Sequence, residues 1–127
     1  MKLESKFYNE LKRITPQIRW TRLENTSVLG TPDLLGYNTN CHFFTVELKV
    51  ANGNKVRLSP HQISFHVLHP ENTFILVKTK DDCRLYVGEQ VKELLACGCS
   101  LAPVACGWKE VRLWLEDLGN DDTLAYP

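Results

Sequence analysis

The fold expected for this chain follows from one stretch, HFFTVELKV at residues 42–50. It is rich in aromatic and β-branched residues, which favour a β-strand. Side chains alternate between the two faces of a strand, so three apolar residues point into the core: Phe44, Val46 and Leu48. Glu47 and Lys49 then share the other face, roughly 6.5–7 Å apart along the strand. So hydrophobic a strand is expected to be central, and central strands rarely carry two charges without a function.

Three elements are predicted before this strand. Apolar residues at helical spacing predict a helix over about residues 3–14, which Thr15-Pro16 ends because the residue before proline disfavours helical geometry. Residues 17–23 alternate and predict a strand. Gly30-Thr31-Pro32-Asp33 is a turn signal, followed by a short strand at residues 34–37.

The segments after the strand complete an α/β pattern. Ser59-Pro60 is a typical start for a helix that runs to about Leu68. The remaining predictions are strands at 74–78 and 84–87, a helix at 88–95, irregular structure at 97–107, a helix at 108–118 and a frayed tail at 119–127. A strand–helix–strand crossover over residues 42–78 implies at least one parallel pair. The predicted fold is therefore a mixed β-sheet flanked by helices.

Size and composition indicate one globular domain over residues 1–127. The chain has 127 residues, of which 43% are apolar, as in ordinary globular proteins. No apolar run approaches the roughly 20 residues of a membrane helix, and the charged start lacks a signal-peptide segment. We therefore expect a soluble intracellular protein without a membrane partner. Five cysteines, an odd number, are interpreted as reduced thiols.

Charge is balanced overall but uneven along the chain. The formal net charge is zero, which excludes a globally basic nucleic-acid binder. Residues 1–22 are basic and residues 108–127 acidic, which leaves room for a local phosphate-facing patch. A solvated helix face is the alternative, and charge by itself favours that alternative.

Three residues carry the predicted chemistry: Asp33, Glu47 and Lys49. Asp33 opens the strand before residues 42–50, and a tight turn would place it beside Glu47. Two carboxylates offer the hard oxygen ligands that Mg²⁺ prefers, and a bound metal activates water for phosphodiester hydrolysis. Lysine can position that water or stabilise the anionic transition state. The alternatives are that Asp33 only caps the turn after Pro32, and that Glu47 and Lys49 form an exposed pair of charges on the strand.

The order G-x-P-D, thirteen residues, E-x-K resembles the PD-(D/E)xK nuclease superfamily, over about residues 1–80. It is most similar to the compact VRR-Nuc and Holliday-junction-resolvase-like members, many of them phage-encoded. The resemblance implies a restriction-endonuclease-like fold and a Mg²⁺-dependent endonuclease, with Mn²⁺ able to substitute. It also implies cleavage of DNA that leaves a 5′-phosphate, in the host cytoplasm if the gene belongs to a phage. The arginine- and glycine-containing helix signature of archaeal resolvases is absent.

Two further site residues come from that resemblance. Glu4 on the first helix resembles the acidic residue that completes the metal shell with Asp33 and Glu47, with Glu10 and Glu24 as rivals. Gln62 resembles the glutamine that opens the helix after the E-x-K strand. Ser59 and Gln62 also match a capping box, S-x-x-Q, and both interpretations of Gln62 stand.

Four residues are predicted to contact nucleic acid: Lys6, Lys55, Arg57 and His61. Lys55 and Arg57 flank the loop after the E-x-K strand and could hold the DNA backbone, although solvated loop charge is an equal alternative. His61 neighbours Gln62 but is also typical of a surface histidine.

The last helix leaves the oligomeric state open. Trp108, Trp114 and Leu118 could complete the core, which we favour, or form a homodimer interface. The alternative function to a nuclease is a non-catalytic nucleic-acid-binding or phage–host interaction protein.

Overall fold

The structure, a computed structural model, describes residues 3–23 and 30–120. The helices are α1 (Leu3–Ile14), α2 (Pro60–Leu68), α3 (Val91–Cys97) and α4 (Trp108–Asp117). The strands are β1 (Arg19–Arg22), β2 (Leu34–Tyr37), β3 (Phe43–Val50), β4 (Thr73–Lys78), β5 (Cys83–Val87) and β6 (Ala105–Cys106). The predicted frayed tail falls largely on residues 121–127, which lie outside the described residues.

The described strands form one mixed sheet in the order β1-β2-β3-β4-β5-β6. Neighbours are antiparallel except β3 and β4, which are parallel with Glu47 opposite Ile75. The predicted parallel pair is therefore confirmed, because α2 carries the chain back across the sheet between these two strands. Strand β3 is central, as its hydrophobicity predicted.

The sheet separates two apolar clusters. On one face, α1 and α4 pack against the inward residues of β3, with Leu11, Val46 and Leu115 fully buried. On the other face, α3 packs against Ile75 and Val77 of β4. Val46 and Leu48 belong to the first cluster, so strand alternation turns Glu47 and Lys49 toward the second face.

Two predictions differ from the structure in the second half of the chain. The helix predicted at 88–95 begins as a 3-10 turn over Gly88–Gln90 and becomes α-helical only from Val91. The Gln90 side chain accepts a hydrogen bond from the Val87 amide at 3.0 Å, which stabilises this tight start. The segment 97–107, predicted to be irregular, contains β6, whose two residues are too few to show alternation.

The last helix is attached to the β2–β3 turn by side-chain capping. Asn38, 2% exposed, donates through Nδ2 to the carbonyl oxygens of Leu115 and Leu118 at 2.9 and 2.8 Å. These are orphan carbonyls of the helix end, which need partners. Trp108 and Leu118 pack against the core as favoured, whereas Trp114 is 40% exposed.

In residues 3–23 and 30–120 no helix is long and apolar enough to cross a bilayer. The five cysteines are free, as expected; Cys83 and Cys99 are buried.

Candidate active site

The register of β2 and β3 brings Asp33 beside Glu47. Leu34 pairs with Val46, so the next position outward along both strands places Asp33 opposite Glu47. The Asp33 carboxylate is anchored from that side, since its Oδ2 accepts a hydrogen bond from the Leu48 amide at 2.7 Å. Two carboxylates that are distant in sequence therefore meet where β2 begins and β3 nears its end.

Glu47 has a buried carboxyl group, and only one of its two oxygens accepts a hydrogen bond. It is 2% exposed, and its Oε2 accepts from Gln62 Nε2 at 3.2 Å. Its Oε1 is buried and has no partner among the described residues. Burial, and then the neighbouring charge of Asp33, raises the pKa of Glu47 to about 9, while Lys49 opposes this shift. Without a cation Glu47 therefore keeps its proton at neutral pH and can share it with Asp33, and a cation bound to both carboxyl groups would displace that proton.

Gln62 forms the predicted capping box and also contacts Glu47. Its Oε1 accepts from the Ser59 amide at 2.9 Å, and its own amide donates to Ser59 Oγ at 3.2 Å, which forms the predicted capping box. Its Nε2 reaches Glu47 at the same time. The start of α2 is thereby tied to the carboxylate on β3.

Lys49 lies two residues beyond Glu47 on the same face of β3 and is partly buried. It pairs in register with Val77 on β4. Its charge lowers the pKa of Glu47, which shows that the ammonium group is close enough to interact with the carboxyl. Within the described part of the chain, no carboxylate forms an ion pair with Lys49.

Glu4, in the first turn of α1, lies near Asp33. It lines a cleft of about 210 Å³ together with Tyr8, Arg22 and Asp33. Its charge contributes to the raised pKa of Glu47. Of the two rivals, Glu10 pairs with Lys78 at 3.6 Å in a different cleft, and Glu24 lies outside the described residues.

The carboxyl groups of Asp33 and Glu47 fit a hard cation in part. Asp33 and Glu47 are adjacent carboxylates, and the unpartnered Glu47 Oε1 is the orphaned buried oxygen that a cation would satisfy. Within residues 3–23 and 30–120, however, no three Asp, Glu, His or Cys side chains converge closely enough to hold a metal. The arrangement thus fits a cation held by two carboxylates that takes its other ligands from water or phosphate.

Gly30 allows the turn before Asp33 to pack closely against the backbone of α2 at His61. Its φ is +83°, and an added Cβ would lie 2.3 Å from the carbonyl oxygen of His61. Only glycine fits this left-handed position and close approach. The G-x-P-D motif therefore packs directly on the turn of α2 that carries Gln62, a contact that the sequence analysis missed.

The residues predicted to contact nucleic acid are exposed, but they are not gathered in one place. Lys6 lines a separate cleft of about 550 Å³ with Arg13 and Lys78. Lys55 and Arg57 lie on the loop between β3 and α2, and His61 is on the first turn of α2. The structure therefore brings His61 close to the site and leaves Lys6 on another side of α1.

A cationic group missed by the sequence analysis borders the carboxylates. Arg22 lines the same cleft as Asp33, and its guanidinium lies 5.0 Å from the centre of the Tyr8 ring. Lys12 contacts the same ring at 5.1 Å. Cation–π contacts of this kind hold a side chain in place while its charge stays accessible. Alternation of Trp20 and Arg22 on one face was the signal that could have revealed it.

Comparison with solved structures identifies the architecture. The Holliday junction resolvase Hjc from the archaeal hyperthermophile Archaeoglobus fulgidus matches with a TM-score of 0.54 and 15% sequence identity, covering 71% of this chain and 76% of the resolvase. The chain has the fold of a Holliday junction resolvase. No protein-family model matches the sequence, and no curated protein is significantly similar to it.

The resolvase fold confirms the predicted fold class, a mixed sheet flanked by helices. At this identity the likeness concerns the fold alone. The narrower assignments to VRR-Nuc-like and phage-encoded nucleases stay predictions.

Proposed function

We propose that this protein is a metal-dependent deoxyribonuclease of the PD-(D/E)xK type that hydrolyses DNA phosphodiester bonds. One observation carries the proposal: Asp33 and Glu47 lie side by side, and Glu47 Oε1 is buried without a partner next to Lys49 and Gln62. A buried carboxyl oxygen left unsatisfied is costly in a merely structural role. It is expected where a fold keeps a ligand for a cation.

Asp33 and Glu47 would hold Mg²⁺, with Mn²⁺ as a substitute, and Glu4 in the adjoining cleft would add negative charge near them. A bound divalent cation lowers the pKa of water and offsets the charge of the phosphate. The chain's own contribution is to fix the two carboxylates: the Leu48 amide orients Asp33, and Gln62 orients Glu47. Both carboxyl groups are thereby held in place by hydrogen bonds that do not depend on a cation.

Lys49 would supply the cation that the chemistry needs beside the carboxylates. It follows Glu47 on the same face of β3 and has no competing carboxylate partner in the described ranges. An ammonium group in this position can orient the attacking water or stabilise the negative charge that develops on the phosphate. Gln62 would act through Glu47 and is therefore a positioning residue.

The substrate is proposed to be DNA of branched or otherwise irregular shape. Support comes from the fold shared with a Holliday junction resolvase. Arg22 at the cleft and His61 on the first turn of α2 would contact phosphates near the cut, and Lys6, Lys55 and Arg57 would contact phosphates further along the DNA. A homodimer would suit symmetric cleavage of two strands, and the exposed Trp114 on α4 offers apolar surface for it.

A second candidate is a DNA-binding protein without catalysis. It is favoured by one observation, namely that no three metal-binding side chains converge in the described part of the chain. The two candidates differ in what a divalent cation does. A nuclease binds Mn²⁺ through Asp33, whereas a binding protein contacts DNA without it.

The test is a cleavage panel in Mg²⁺ with linear duplex, single strand, flap and four-way junction, using wild type, Lys49→Ala and Asp33→Ala. Calorimetry with Mn²⁺ on the same proteins measures metal binding directly. We expect cleavage and Mn²⁺ binding by the wild type, loss of both in Asp33→Ala, and loss of cleavage with retained binding in Lys49→Ala. Absence of Mn²⁺ binding by the folded wild type would contradict the proposal.

A further inference from the structure

An aromatic pair, with Phe43 exposed and Tyr37 half-buried, lies on the sheet face that carries Asp33 and Glu47. Tyr37 on β2 and Phe43 on β3 are partners in register, with ring centroids 4.5 Å apart and planes inclined at 44°. Phe43 is 58% exposed. On the opposite face the neighbouring Phe44 is fully packed against Trp20 and Phe74, so the pair plays no part in that core.

The pair lies on the same strand and the same face as Glu47 of the candidate active site. Phe43 and Glu47 are four positions apart on β3 and share a face. At about 3.3 Å per residue they are separated by roughly 13 Å. This is about the length of four stacked nucleotides at roughly 3.4 Å each. A DNA strand with its phosphate at the carboxylates could therefore place a nearby base on these rings.

Charge beside the rings suits a polyanion rather than an apolar partner. Arg19 on the edge strand β1 is the direct partner of Tyr37, is exposed, and lies close enough to lower the pKa of the phenol. A hydrogen bond with Cys41 has the larger effect and raises the pKa of Tyr37. Aromatic rings beside an arginine form the surface on which unpaired bases stack, because every base has a π face.

We infer that Tyr37 and Phe43 form a stacking site for an unpaired nucleobase of the DNA strand that enters the Asp33–Glu47 site. This inference rests on the proposed function and gives it a substrate class: DNA with unpaired nucleotides within about four positions of the cut. Bases within an intact duplex are stacked on each other and do not present their faces to such a surface. The rings thus favour flaps and frayed ends over continuous duplex.

The test is binding without cleavage, measured by fluorescence anisotropy in metal-free buffer. The probes are a fully paired duplex, the same duplex with a short single-stranded tail, and the tailed duplex with abasic sites in the tail. For Phe43→Ala we expect roughly 5- to 100-fold weaker binding of the tailed duplex and less than about twofold change for the paired one. Phe43→Trp, which keeps a ring, should bind like the wild type.

Two comparisons make the result specific. Leu113→Ala removes a side chain of similar exposure, 49%, from α4 and should leave all affinities unchanged. Abasic tails should weaken wild-type binding as much as Phe43→Ala does, with no further loss when the two are combined, because both remove one contact. Equal losses on paired and tailed DNA, or none, would overturn the inference.

Failure of this inference is distinguishable from failure of the proposed function. A wild type that cleaves DNA in Mg²⁺ while Phe43→Ala keeps full affinity for tails contradicts only the stacking site. A wild-type dimer that Phe43→Ala converts to monomers in analytical ultracentrifugation would make the pair an interface between two copies, and would also overturn the inference.

Discussion

Gln62 Nε2 donates a hydrogen bond of 3.2 Å to Glu47 Oε2, which joins the first turn of α2 to the acidic strand β3. Because Gln62 Oε1 simultaneously accepts from the Ser59 amide, the orientation of its amide group is determined on both sides. A helix cap therefore aligns a candidate metal ligand, and the two roles can be separated by mutation.

The first prediction separates these roles with Gln62→Ala and Ser59→Ala. Both remove part of the capping box and should cost about 1 kcal/mol of stability in urea unfolding. Only Gln62→Ala also removes the hydrogen bond to Glu47, so we expect it to lower kcat/KM for DNA cleavage at least about 10-fold. Ser59→Ala is the matched control and should retain most of the activity. Equal activity losses in the two variants would assign Gln62 a capping role only.

A second prediction concerns the cost of keeping Glu47 buried. Replacing this carboxyl, whose Oε1 lacks a partner, by the amide of Glu47→Gln should stabilise the metal-free protein by about 1 kcal/mol or more at neutral pH. The same change should abolish Mn²⁺ binding. Thermal unfolding in chelator measures the first effect and calorimetry the second.

Glu10→Gln, which breaks only a partly exposed ion pair with Lys78, is the control and should change stability by less than about 1 kcal/mol. A destabilised Glu47→Gln would contradict the prediction.

The third prediction concerns the contact between Gly30 and α2. Gly30→Ala combines a left-handed backbone, φ +83°, with a Cβ 2.3 Å from the His61 carbonyl oxygen. We expect a loss of more than about 2 kcal/mol together with impaired cleavage, because the turn carrying Gln62 must move. Gly53→Ala is the control: φ is +61° with nothing within 4 Å of the added Cβ, so it should cost only about 1 kcal/mol. Similar losses of stability in both variants would show that the positive φ, and not the contact with His61, makes glycine necessary at position 30.

A fourth prediction uses His66, a residue of α2 whose side chain is fully buried. Burial, with a smaller effect of His69, lowers the pKa of His66 to about 4 from the usual 6.5. The unfolded chain therefore takes up a proton below pH 6.5 that the folded protein does not accept until about pH 4. The contribution of His66 to stability is full above pH 6.5 and should fall by roughly 3 kcal/mol as the pH drops to 4. The raised pKa of Glu47 acts in the opposite direction over the same interval.

Urea unfolding between pH 8 and pH 4 measures this loss. The stability difference between the wild type and His66→Gln should shift by roughly 3 kcal/mol against the wild type from pH 8 to pH 4, because the contribution of Glu47 is common to both proteins. His61→Gln changes an exposed histidine on the same helix and should keep the wild-type slope. An unchanged slope in His66→Gln would assign the acid sensitivity to other groups.

Much of the architecture was predictable because its signals are local. Alternation along residues 42–50 placed Glu47 and Lys49 on one face, and the S-P-x-Q pattern marked the start of α2. The parallel pair followed from the crossover rule. The strand β6 was missed because two residues carry no periodicity, and its formation depends on pairing with Arg84 and Leu85.

The sequence by itself determined the order of elements, the face of each strand and the residue types available for chemistry, because these depend on neighbours along the chain. Only the tertiary structure decided which of those residues meet. The register of β2 against β3 set Asp33 beside Glu47 and Tyr37 beside Phe43, and packing of α2 brought Gln62 to Glu47 and His61 to Gly30. Such contacts join residues far apart in sequence, so they depend on strand register and helix packing, which local periodicity does not specify.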